Sequence, residues 1–384
     1  MSDYQYPAAL PVTTTGGWAR PGWWDVVADG EKAGRFGPAD RQELLDDYCQ
    51  LAIYDQESAG LDILTDGQMW FDDYAMGIGS FLWYWFERVD GFARERLEHP
   101  ARSRAGVSGA DAYTLDEAGG AALDGPLGNP RWRLAELFEI AQSQTKRPVK
   151  ACVGAGPLQL SSMVHFRGGP IRNRYDLARE LAVLFRAEID ALVATGCRYI
   201  QIEDLGAWFP NVVGERDVPW VREVITLLAD GVDAHVGWHF CLGNAWGTST
   251  RSLTAGGYAK VLPYYVDLPI DEFVLDFAAR GMSDVDVLAE LPDDKRVAAG
   301  VIDVRNLEVE EPEQVAERIW RVLEFVPPER VTLTTDCGMK QLPRRPAFAK
   351  LKSLVAGAQL VRAELSDKVA RRETQDVHDV APRD

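Results

Sequence analysis

Short hydrophobic runs typical of β-strands alternate with segments of helical periodicity along most of the chain. The strand candidates are rich in Val, Ile and Thr, and most of them end at a polar, Cys or Gly residue. They cover residues 12–17, 61–66, 149–154, 199–204, 234–241, 272–278, 297–303 and 330–336. Between them, apolar residues recur at helical spacing in 175–195, 312–324 and 344–364. Eight such units predict an α/β fold, a (β/α)8 TIM barrel rather than an open sheet.

Two stretches break the alternation. Residues 85–148, rich in Gly, Arg and Ala, separate the second predicted strand from the third. A segment this long predicts an insertion, either a lid over the barrel mouth or a lobe on its surface. Residues 366–384 are polar and poor in apolar side chains, which predicts a disordered tail. We therefore expect a single barrel domain over residues 1–365.

The charge of the chain narrows the range of partners. With 59 acidic and 41 basic side chains, the formal net charge is −18, which argues against nucleic acid or an anionic membrane as a partner. The N-terminal stretch lacks the basic and apolar regions of a signal peptide, and no apolar run approaches a membrane span, so we expect a cytoplasmic location. The five cysteines are odd in number and widely spread, which predicts reduced thiols. Small-molecule substrates are the expected partners, and a homo-oligomer is left open.

Three soft metal ligands occur at the ends of predicted strands. His239 and Cys241 close the fifth strand, and Cys337 follows the eighth. Active sites of (β/α)8 barrels lie at the carboxyl ends of the strands, and an imidazole with two thiolates suits zinc, which would deprotonate a substrate thiol. Asp276, at the end of the sixth strand, is the candidate for a fourth ligand. The alternative is that both cysteines are buried small hydrophobes and His239 is a core histidine.

Seven short motifs follow one another along the chain. They are Gly16-Gly17-Trp18-Ala19-Arg20-Pro21, Leu64-Thr65-Asp66-Gly67, Gly156-Pro157-Leu158, Ile200-Gln201-Ile202-Glu203-Asp204, His239-Phe240-Cys241-Leu242-Gly243-Asn244, Gly300-Val301-Ile302-Asp303-Val304-Arg305 and Thr335-Asp336-Cys337-Gly338-Met339-Lys340. In this order they resemble the catalytic barrel of the cobalamin-independent methionine synthases, and the resemblance extends over residues 12–364. It implies zinc held by His, Cys, Glu and Cys, which here fall on His239, Cys241, Asp276 and Cys337. Asp276 is one methylene shorter than the family's Glu.

The resemblance also implies a binding site for homocysteine, and this chain departs from it. The family has a Ser where Gly17 stands and a Glu where Gln68 stands, and these residues hold the carboxylate and the amino group of homocysteine. A further family Asp that meets the amino group falls on Glu203-Asp204, where the order of the two acids is reversed. The loss of a charge from a desolvated pocket alters substrate selectivity strongly. We therefore predict that homocysteine is a poor acceptor.

Further site residues are expected around these positions. Asp276, Glu203 and Asp204 are the candidate catalytic residues. Asp66, Trp70 and Asn244 join Gly17, Gln68 and Glu203 as candidates for substrate binding. Aromatic residues could form an apolar mouth or simply pack at the barrel rim, and they are Trp18, Trp23, Trp24, Trp70, Phe71 and Trp246.

The functional hypothesis is a zinc-dependent thiol alkyltransferase that transfers a methyl group to a zinc-bound thiolate, of homocysteine or of a variant thiol. An alternative within this class is an epoxyalkane:coenzyme M transferase, which opens an epoxide with a thiol, because the neutral Gln68 suits an acceptor without an amino group. A second alternative is a lyase like the uroporphyrinogen decarboxylases, which would have no need of the two cysteines. A zinc-binding protein without catalysis is the third.

Overall fold

A computed structural model describes residues 4–23, 26–27, 29–30, 33–68, 78–93, 95–103, 115–116, 118–244 and 254–379. Its main sheet contains seven parallel strands in chain order. These are β1 (Leu64–Thr65), β4 (Val149–Gly154), β6 (Tyr199–Glu203), β7 (His235–His239), β8 (Glu272–Asp276), β9 (Arg296–Ile302) and β10 (Val331–Thr335). A second sheet of three strands contains β2 (Asp90–Phe92), β3 (Ala121–Gly128) and β5 (Val164–Phe166).

The segment around Val12 closes the main sheet into a barrel. Val12 forms a parallel bridge with Leu333 of β10, and Thr13 N–H donates to the Leu333 carbonyl at 2.8 Å. On its other side the Val12 carbonyl accepts from Ile63 N–H at 3.1 Å, just before β1. The predicted first strand is thus present as a bridge instead of a full ladder, and the predicted (β/α)8 TIM barrel is confirmed.

The helices on the barrel wall follow the predicted periodicity. The α-helices are α1 (Pro38–Ala59), α2 (Ile78–Glu87), α3 (Leu134–Ser143), α4 (Pro157–Ser161), α5 (Arg174–Ala194), α6 (Phe209–Val213), α7 (Val218–Ala229), α8 (Pro312–Leu323) and α9 (Arg344–Asp379). Helix α5 is capped at its N-terminus by Asn173, whose side chain accepts from Tyr175 N–H and Asp176 N–H. The buried face of the helix carries Leu177, Leu181, Phe185, Ile189 and Leu192.

Two of the connections between barrel strands differ from the expected α-helices. Between β7 and β8 the described residues form 3-10 helices at Tyr258–Lys260 and Leu262–Tyr264, and between β8 and β9 they form Ala278–Arg280 and Val285–Glu290. The first of these connections carries prolines at 263 and 269, which interrupt helical hydrogen bonding. Further 3-10 helices lie at Leu205–Trp208, Glu215–Asp217 and Pro328–Arg330.

The insertion after the second barrel strand lies against the carboxyl end of the barrel. Its strand β3 pairs with β5, which follows β4 and α4 and therefore belongs to that end. Trp85 of α2 also donates from Nε1 to the carbonyl of Gly154, the last residue of β4, at 2.5 Å. The insertion thus contributes to the rim of the barrel mouth, while the predicted domain boundaries stay a prediction.

The C-terminal residues extend the last helix, and the disordered tail expected over residues 366–384 stays a prediction. Helix α9 continues to Asp379, so residues 366–379 are described as helix. Extending an existing helix is far easier than starting one, and this stretch contains Ala, Arg, Glu and Lys, which favour helix. In the described part of the chain no helix is long and apolar enough to cross a membrane. All five cysteines are free.

A buried polar cluster surrounds Glu272, at the amino-terminal end of β8. Its carboxylate accepts a short hydrogen bond from the Tyr199 hydroxyl and another from Thr332 Oγ1 at 2.6 Å. The His235 ring lies 3.6 Å away and the Arg296 guanidinium 3.9 Å. Burial raises the pKa of Glu272, but His235 and Arg296 more than offset this and lower it to about 2. The carboxylate therefore stays charged inside the fold.

Replacing Glu272 by glutamine is expected to lower the free energy of unfolding at pH 7 by about 3 kcal/mol, the low end of what breaking a buried ion pair costs. A carboxyl with a lowered folded-state pKa stabilises the protein above its unfolded pKa of about 4.3 and loses that contribution as the pH falls further. The difference between the two proteins should therefore shrink between pH 4.3 and pH 2, a window set by that reference value and the lowered pKa of Glu272. Urea unfolding at pH 7 and pH 3 measures it.

The matched control is Glu317→Gln, which removes an exposed carboxylate from α8. This variant should unfold like the wild type at both pH values. Equal urea midpoints for Glu272→Gln and Glu317→Gln would contradict the role given to the buried cluster.

Candidate active site and metal centre

A pocket of about 110 Å³ opens at the carboxyl ends of the barrel strands. Residues from the first strand position, from the segment after β1 and from the segments after β4, β6, β7 and β10 line it. They are Thr15, Gly17, Gln68, Phe81, Gln159, Glu203, Asp204, Leu205, His239, Cys241, Gly243, Asn244, Cys337, Gly338, Lys340 and Gln341. This is the end of the barrel at which the sequence predicts the active site.

The structure brings His239, Cys241 and Cys337 together. Their ligand atoms, one ring nitrogen and two sulfurs, all lie within 4.8 Å of one another. His239 is the last residue of β7, Cys241 follows it by two positions, and Cys337 follows the end of β10 by two positions. Gly243 N–H donates to Cys241 Sγ at 3.3 Å, and Thr335 Oγ1 donates to the Cys337 carbonyl at 2.9 Å. The strand ends and these turn contacts hold the three donors as one cluster.

The orientation of His239 leaves one ring nitrogen aimed at the cluster. Its Nδ1 lies 3.1 Å from the carbonyl oxygen of Val274, so Nδ1 carries the proton and donates it. Nε2 is buried and has no hydrogen-bond partner of good geometry in the described residues. A buried ring nitrogen without a partner is costly unless something binds it, and metal-bound histidines are commonly fixed by such a bond to a carbonyl.

The electrostatics of the cluster favour a cation. The hydrogen bond between the two thiols lowers the pKa of Cys337 well below its usual value and raises that of Cys241, so the pair shares one proton. Burial disfavours a charged His239, but Cys337, Asp276 and Glu203 around it raise its pKa to about 9. Several anionic groups thus converge on one buried imidazole, and a bound cation would be stabilised in the same place.

Asp276 lies beside the cluster, outside the group of three. Its Oδ2 accepts from Leu242 N–H at 3.0 Å and from the Arg305 guanidinium at 2.8 Å, whereas its buried Oδ1 has no partner in the described residues. Burial raises the pKa of Asp276, and Arg305 opposes this. One carboxylate oxygen is therefore fixed by the protein, and the other is left over to contact a metal or a substrate.

Arg305 ties the loops around the cluster together. Besides Asp276, its guanidinium contacts Asp336 Oδ2 at 3.2 Å and the carbonyl of Gly243 at 2.8 Å. Asp336 in turn accepts from the N–H groups of residues 277–279. The fold thus commits the Arg305 guanidinium to two buried carboxylates.

Gln68 and Glu203 also line the pocket and contact each other. Gln68 Nε2 donates to Glu203 Oε2 at 2.8 Å, and Gln201 Nε2 donates to the other oxygen, Oε1, at 2.8 Å. Burial raises the pKa of Glu203, while the charge of His239 and the Gln68 amide act against this. The carboxylate is thus held in one orientation with a neutral amide beside it, where a second carboxylate would repel it.

The two glycines of the first motif differ in what they tolerate. Gly16 has φ of +58°, and a Cβ there would come within 2.6 Å of both Gln68 Oε1 and Glu203 Oε1. A Cβ on Gly17 would meet Gln68 Oε1 at 3.5 Å and Lys340 Cβ at 3.6 Å, which are ordinary contacts. The close packing of Gln68 and Glu203 therefore requires glycine at 16, whereas position 17 has room for serine.

The remaining candidate residues, Asp204, Asp66 and Asn244, form hydrogen bonds with backbone groups around the pocket. Asp204 accepts from the N–H groups of Leu158, Gln159 and Gly206, and burial raises its pKa to about 7 against these hydrogen bonds. Asp66 accepts from Gln68 N–H at 2.9 Å but does not line the pocket. Asn244 lines it and donates from Nδ2 to the Gly338 carbonyl at 2.9 Å.

The predicted aromatic mouth is only partly covered by the structure. Trp24, Trp70, Phe71 and Trp246 lie outside the described residues. Trp18 is fully buried and donates from Nε1 to Asp55, and Trp23 is 48% exposed. Among the described residues, Phe81 of α2 lines the pocket. Sequence reasoning missed Phe81 as well as Lys340, although Lys340 stands in the same motif as Cys337.

The fold and the cluster define a class of protein, a (β/α)8 barrel with a soft His–Cys–Cys ligand set at its mouth. The sequence model of the cobalamin-independent synthase catalytic domain matches residues 128–360, which is more than half of the chain. The chain therefore belongs to the cobalamin-independent methionine synthase family, as the motifs predict. Membership places it among methyltransferase enzymes that act on small molecules.

Relatives cover nearly the whole chain. It is 29% identical over 359 residues to a methionine synthase of Saccharolobus solfataricus, covering 94% of this chain and 97% of the relative. A methionine synthase of Sulfurisphaera tokodaii is 28% identical over 360 residues, covering 94% of each.

Solved structures show the same fold. A B12-independent methionine synthase from Shewanella sp. W3-18-1, in complex with selenomethionine, superposes with a TM-score of 0.77 at 23% identity, covering 94% of this chain and 100% of the other. A putative vitamin-B12-independent methionine synthase from Listeria monocytogenes gives a TM-score of 0.64 at 16% identity, covering 93% and 99%.

Proposed function

We propose that this chain is a zinc-dependent alkyltransferase that transfers a methyl group to the sulfur of a small thiol. The observation that carries the proposal is the cluster of His239, Cys241 and Cys337 at the pocket wall, in which His239 Nε2 has no hydrogen-bond partner among the described residues. Family membership supports methyl transfer over lyase chemistry, and a lyase would have no use for two converging thiols. A cytoplasmic location stays a prediction.

The donor set fits zinc. One imidazole and two thiolates are typical zinc ligands, and a set of three protein ligands leaves a further position for a substrate. Oxygen-binding cations such as Mg²⁺ or Ca²⁺ prefer carboxylates and carbonyls instead. Zinc held by His239, Cys241 and Cys337 would supply Lewis acidity, which lowers the pKa of a substrate thiol.

The chain's own residues prepare the acceptor. Glu203, buried and held by Gln68 and Gln201, presents a carboxylate that can take up the proton that the acceptor thiol gives up. A lone pair of the acceptor's thiolate sulfur then attacks the methyl carbon and forms the new S–C bond. The bond between the methyl carbon and its donor breaks, and its electron pair stays with the donor. Asp204 acts as a positioning residue, because its carboxylate joins β6 to the start of α4.

A second candidate is the opening of an epoxide by a thiol that carries a sulfonate. Gln68 favours it, because a neutral amide beside Glu203 provides one charge less for an ammonium group. Mass spectrometry of thiol products distinguishes the two. Zinc-loaded protein is incubated with homocysteine or 2-mercaptoethanesulfonate and, in turn, a methylfolate, methylcobalamin or an epoxide. An S-methyl product supports the first proposal, a hydroxyalkyl thioether supports the second, and no S-alkylated product from any pair contradicts both.

Replacing Asp276 by alanine is expected to leave most of the zinc bound but to lower turnover by about 10- to 100-fold, the range for residues that support metal ligands. The reason is that Asp276 holds Arg305 and Leu242 N–H in place, and its second oxygen is buried with no partner among the described residues. The amount of zinc per chain is measured by elemental mass spectrometry, and turnover is measured as the rate of product formation.

Asp276→Asn is the control for shape. It can still accept from Leu242 N–H but no longer carries a charge, so it should resemble the alanine variant if the charge of Asp276 matters. Wild-type turnover in Asp276→Ala would show that Asp276 has no role at the metal.

A further inference from the structure

Lys150 is a buried lysine within the barrel, and the proposed reaction gives it no role. It is the second residue of β4, its side chain is fully buried, and it is not among the residues that line the pocket. Its Nζ donates to Gln201 Oε1 at 2.6 Å and to the Thr14 carbonyl at 3.1 Å. Lysine is almost never buried this completely unless it is paired, so these two contacts are what keeps it there.

A chain of hydrogen bonds connects Lys150 to Glu203, the residue proposed to take up the thiol proton. Gln201 and Glu203 lie two positions apart on β6, so their side chains point to the same side of the strand. The Gln201 amide accepts from Lys150 with Oε1 and donates from Nε2 to Glu203 Oε1 at 2.8 Å. Lys150 thus acts on one oxygen of the Glu203 carboxylate through Gln201, while Gln68 holds the other oxygen.

The chemistry of lysine decides which end of the Gln201 amide faces Glu203. An amide can turn by half a rotation and exchange its oxygen with its NH2 group. A charged lysine only donates, so the amide oxygen faces Lys150 and the NH2 group faces the carboxylate. Burial lowers the pKa of Lys150, but the charges of Glu272 and Glu203 act against this and favour the ammonium form. Without Lys150, the amide could turn and place its oxygen against Glu203 Oε1, where two acceptors repel each other.

We propose that Lys150 is a positioning residue, which fixes the orientation of the Gln201 amide and thereby holds Glu203 ready to take up the proton of the acceptor thiol. The proposal rests on the proposed function, since that function gives Glu203 this task. Lys150 does not line the pocket, so it acts on the reaction through Gln201. The competing role is purely structural, in which Lys150 only joins β4 to the segment around Thr14.

A double-mutant cycle separates the two roles. Lys150→Met should lower kcat by about 10- to 100-fold, a part of what a well-placed general base contributes, and Gln201→Met should do the same. The double variant should be no slower than Gln201→Met, because the lysine acts through the amide. The KM for the thiol should stay close to the wild-type value, since neither side chain lines the pocket. Zinc-loaded protein is assayed with homocysteine and 2-mercaptoethanesulfonate, each with a methylfolate or methylcobalamin.

Two further variants test the orientation of the amide. Gln201→Glu keeps an acceptor for Lys150 but presents an oxygen to Glu203 in every orientation, so it should be at least as slow as Lys150→Met. Lys150→Arg keeps N–H donors for the amide and should retain more of the wild-type kcat than Lys150→Met. Wild-type kcat in Gln201→Glu would overturn the proposal even if Lys150→Met does not fold.

Lys295→Met is the matched control for the loss of a buried lysine. Lys295 precedes β9, and its Nζ donates to the carbonyls of Leu268 and Ile270, both at 2.9 Å. This variant also removes a buried amine from two acceptors, so it should lower the free energy of unfolding. It should leave kcat unchanged, because its partners lie before β8, at the opposite end of the strands from the pocket.

The side-chain amide signal of Gln201 in nuclear magnetic resonance gives a readout that needs neither metal nor turnover. The protein is labelled with ¹⁵N-glutamine, and the signal is assigned by its loss in Gln201→Met. Lys150→Met should shift this signal, whereas Lys295→Met should not. An unchanged signal in Lys150→Met, or losses in kcat that multiply in the double variant, would overturn the proposal. If the wild type methylates neither thiol, the proposed function fails, and a shifted signal would still support the control of Gln201 by Lys150.

Discussion

Replacing Cys337 by serine should lower zinc affinity by more than about 100-fold and remove activity with it, because loss of a supporting partner outside the ligand set already costs about 10- to 100-fold. A serine hydroxyl is a poor substitute for a thiolate as a ligand for zinc. The substitution also breaks the proton-sharing pair with Cys241, which depends on both sulfurs. Zinc per chain and product formation, measured on the same preparations, check the prediction.

Cys197→Ser is the matched control for Cys337→Ser. Cys197 is buried and its Sγ donates to the Tyr199 carbonyl at 3.3 Å, a bond that serine can also form. This variant should keep wild-type zinc and activity. Full zinc occupancy in Cys337→Ser would reject the assignment of the ligands.

Homocysteine should be a poor acceptor for the wild-type protein. The double variant Gly17→Ser, Gln68→Glu should raise the specificity constant for homocysteine by about 10- to 100-fold relative to that for 2-mercaptoethanesulfonate. The serine would offer a hydroxyl to the carboxylate of homocysteine, and position 17 has room for it. The glutamate would stand beside Glu203, and the ammonium of homocysteine would neutralise that pair of carboxylates, so a ligand without an amino group would lose affinity. Specificity constants for both thiols, at one donor concentration, measure the change.

Gln159→Glu controls for charge alone, because it adds a carboxylate elsewhere in the same pocket. This variant should lower the specificity constant for 2-mercaptoethanesulfonate without raising that for homocysteine. A wild-type specificity constant for homocysteine well above that for the other thiols would contradict the prediction and show that other residues replace the altered binding site.

The grouping of the three candidate metal ligands could be predicted because parallel strands of a barrel end on one rim. Once His239, Cys241 and Cys337 are assigned to strand ends, the fold brings them together without further information. The contacts of Arg305 could not be predicted in this way. Its partners, Asp276 and Asp336, lie 29 and 31 residues away in sequence, and only packing decides that a guanidinium binds two buried carboxylates instead of a substrate.

The fold departs from the predictions where local sequence does not decide the structure. Residues 12–17 have the composition of a strand, but closure of the barrel needs only the contacts of residues around Val12 with β10 and with the residues before β1. Residues 366–379 are polar, and the structure describes them as the continuation of helix α9. Lys340 was missed because its neighbour Gly17 is more than three hundred residues away.

Zinc-edge X-ray absorption of the purified protein, with and without added thiol, tests the central claim most directly. We predict one zinc per chain with sulfur and nitrogen neighbours from Cys241, Cys337 and His239, and one additional sulfur neighbour when 2-mercaptoethanesulfonate or another acceptor thiol is added. A metal without sulfur neighbours, or a spectrum that no thiol changes, would contradict the claim that this barrel alkylates a thiol at its metal centre.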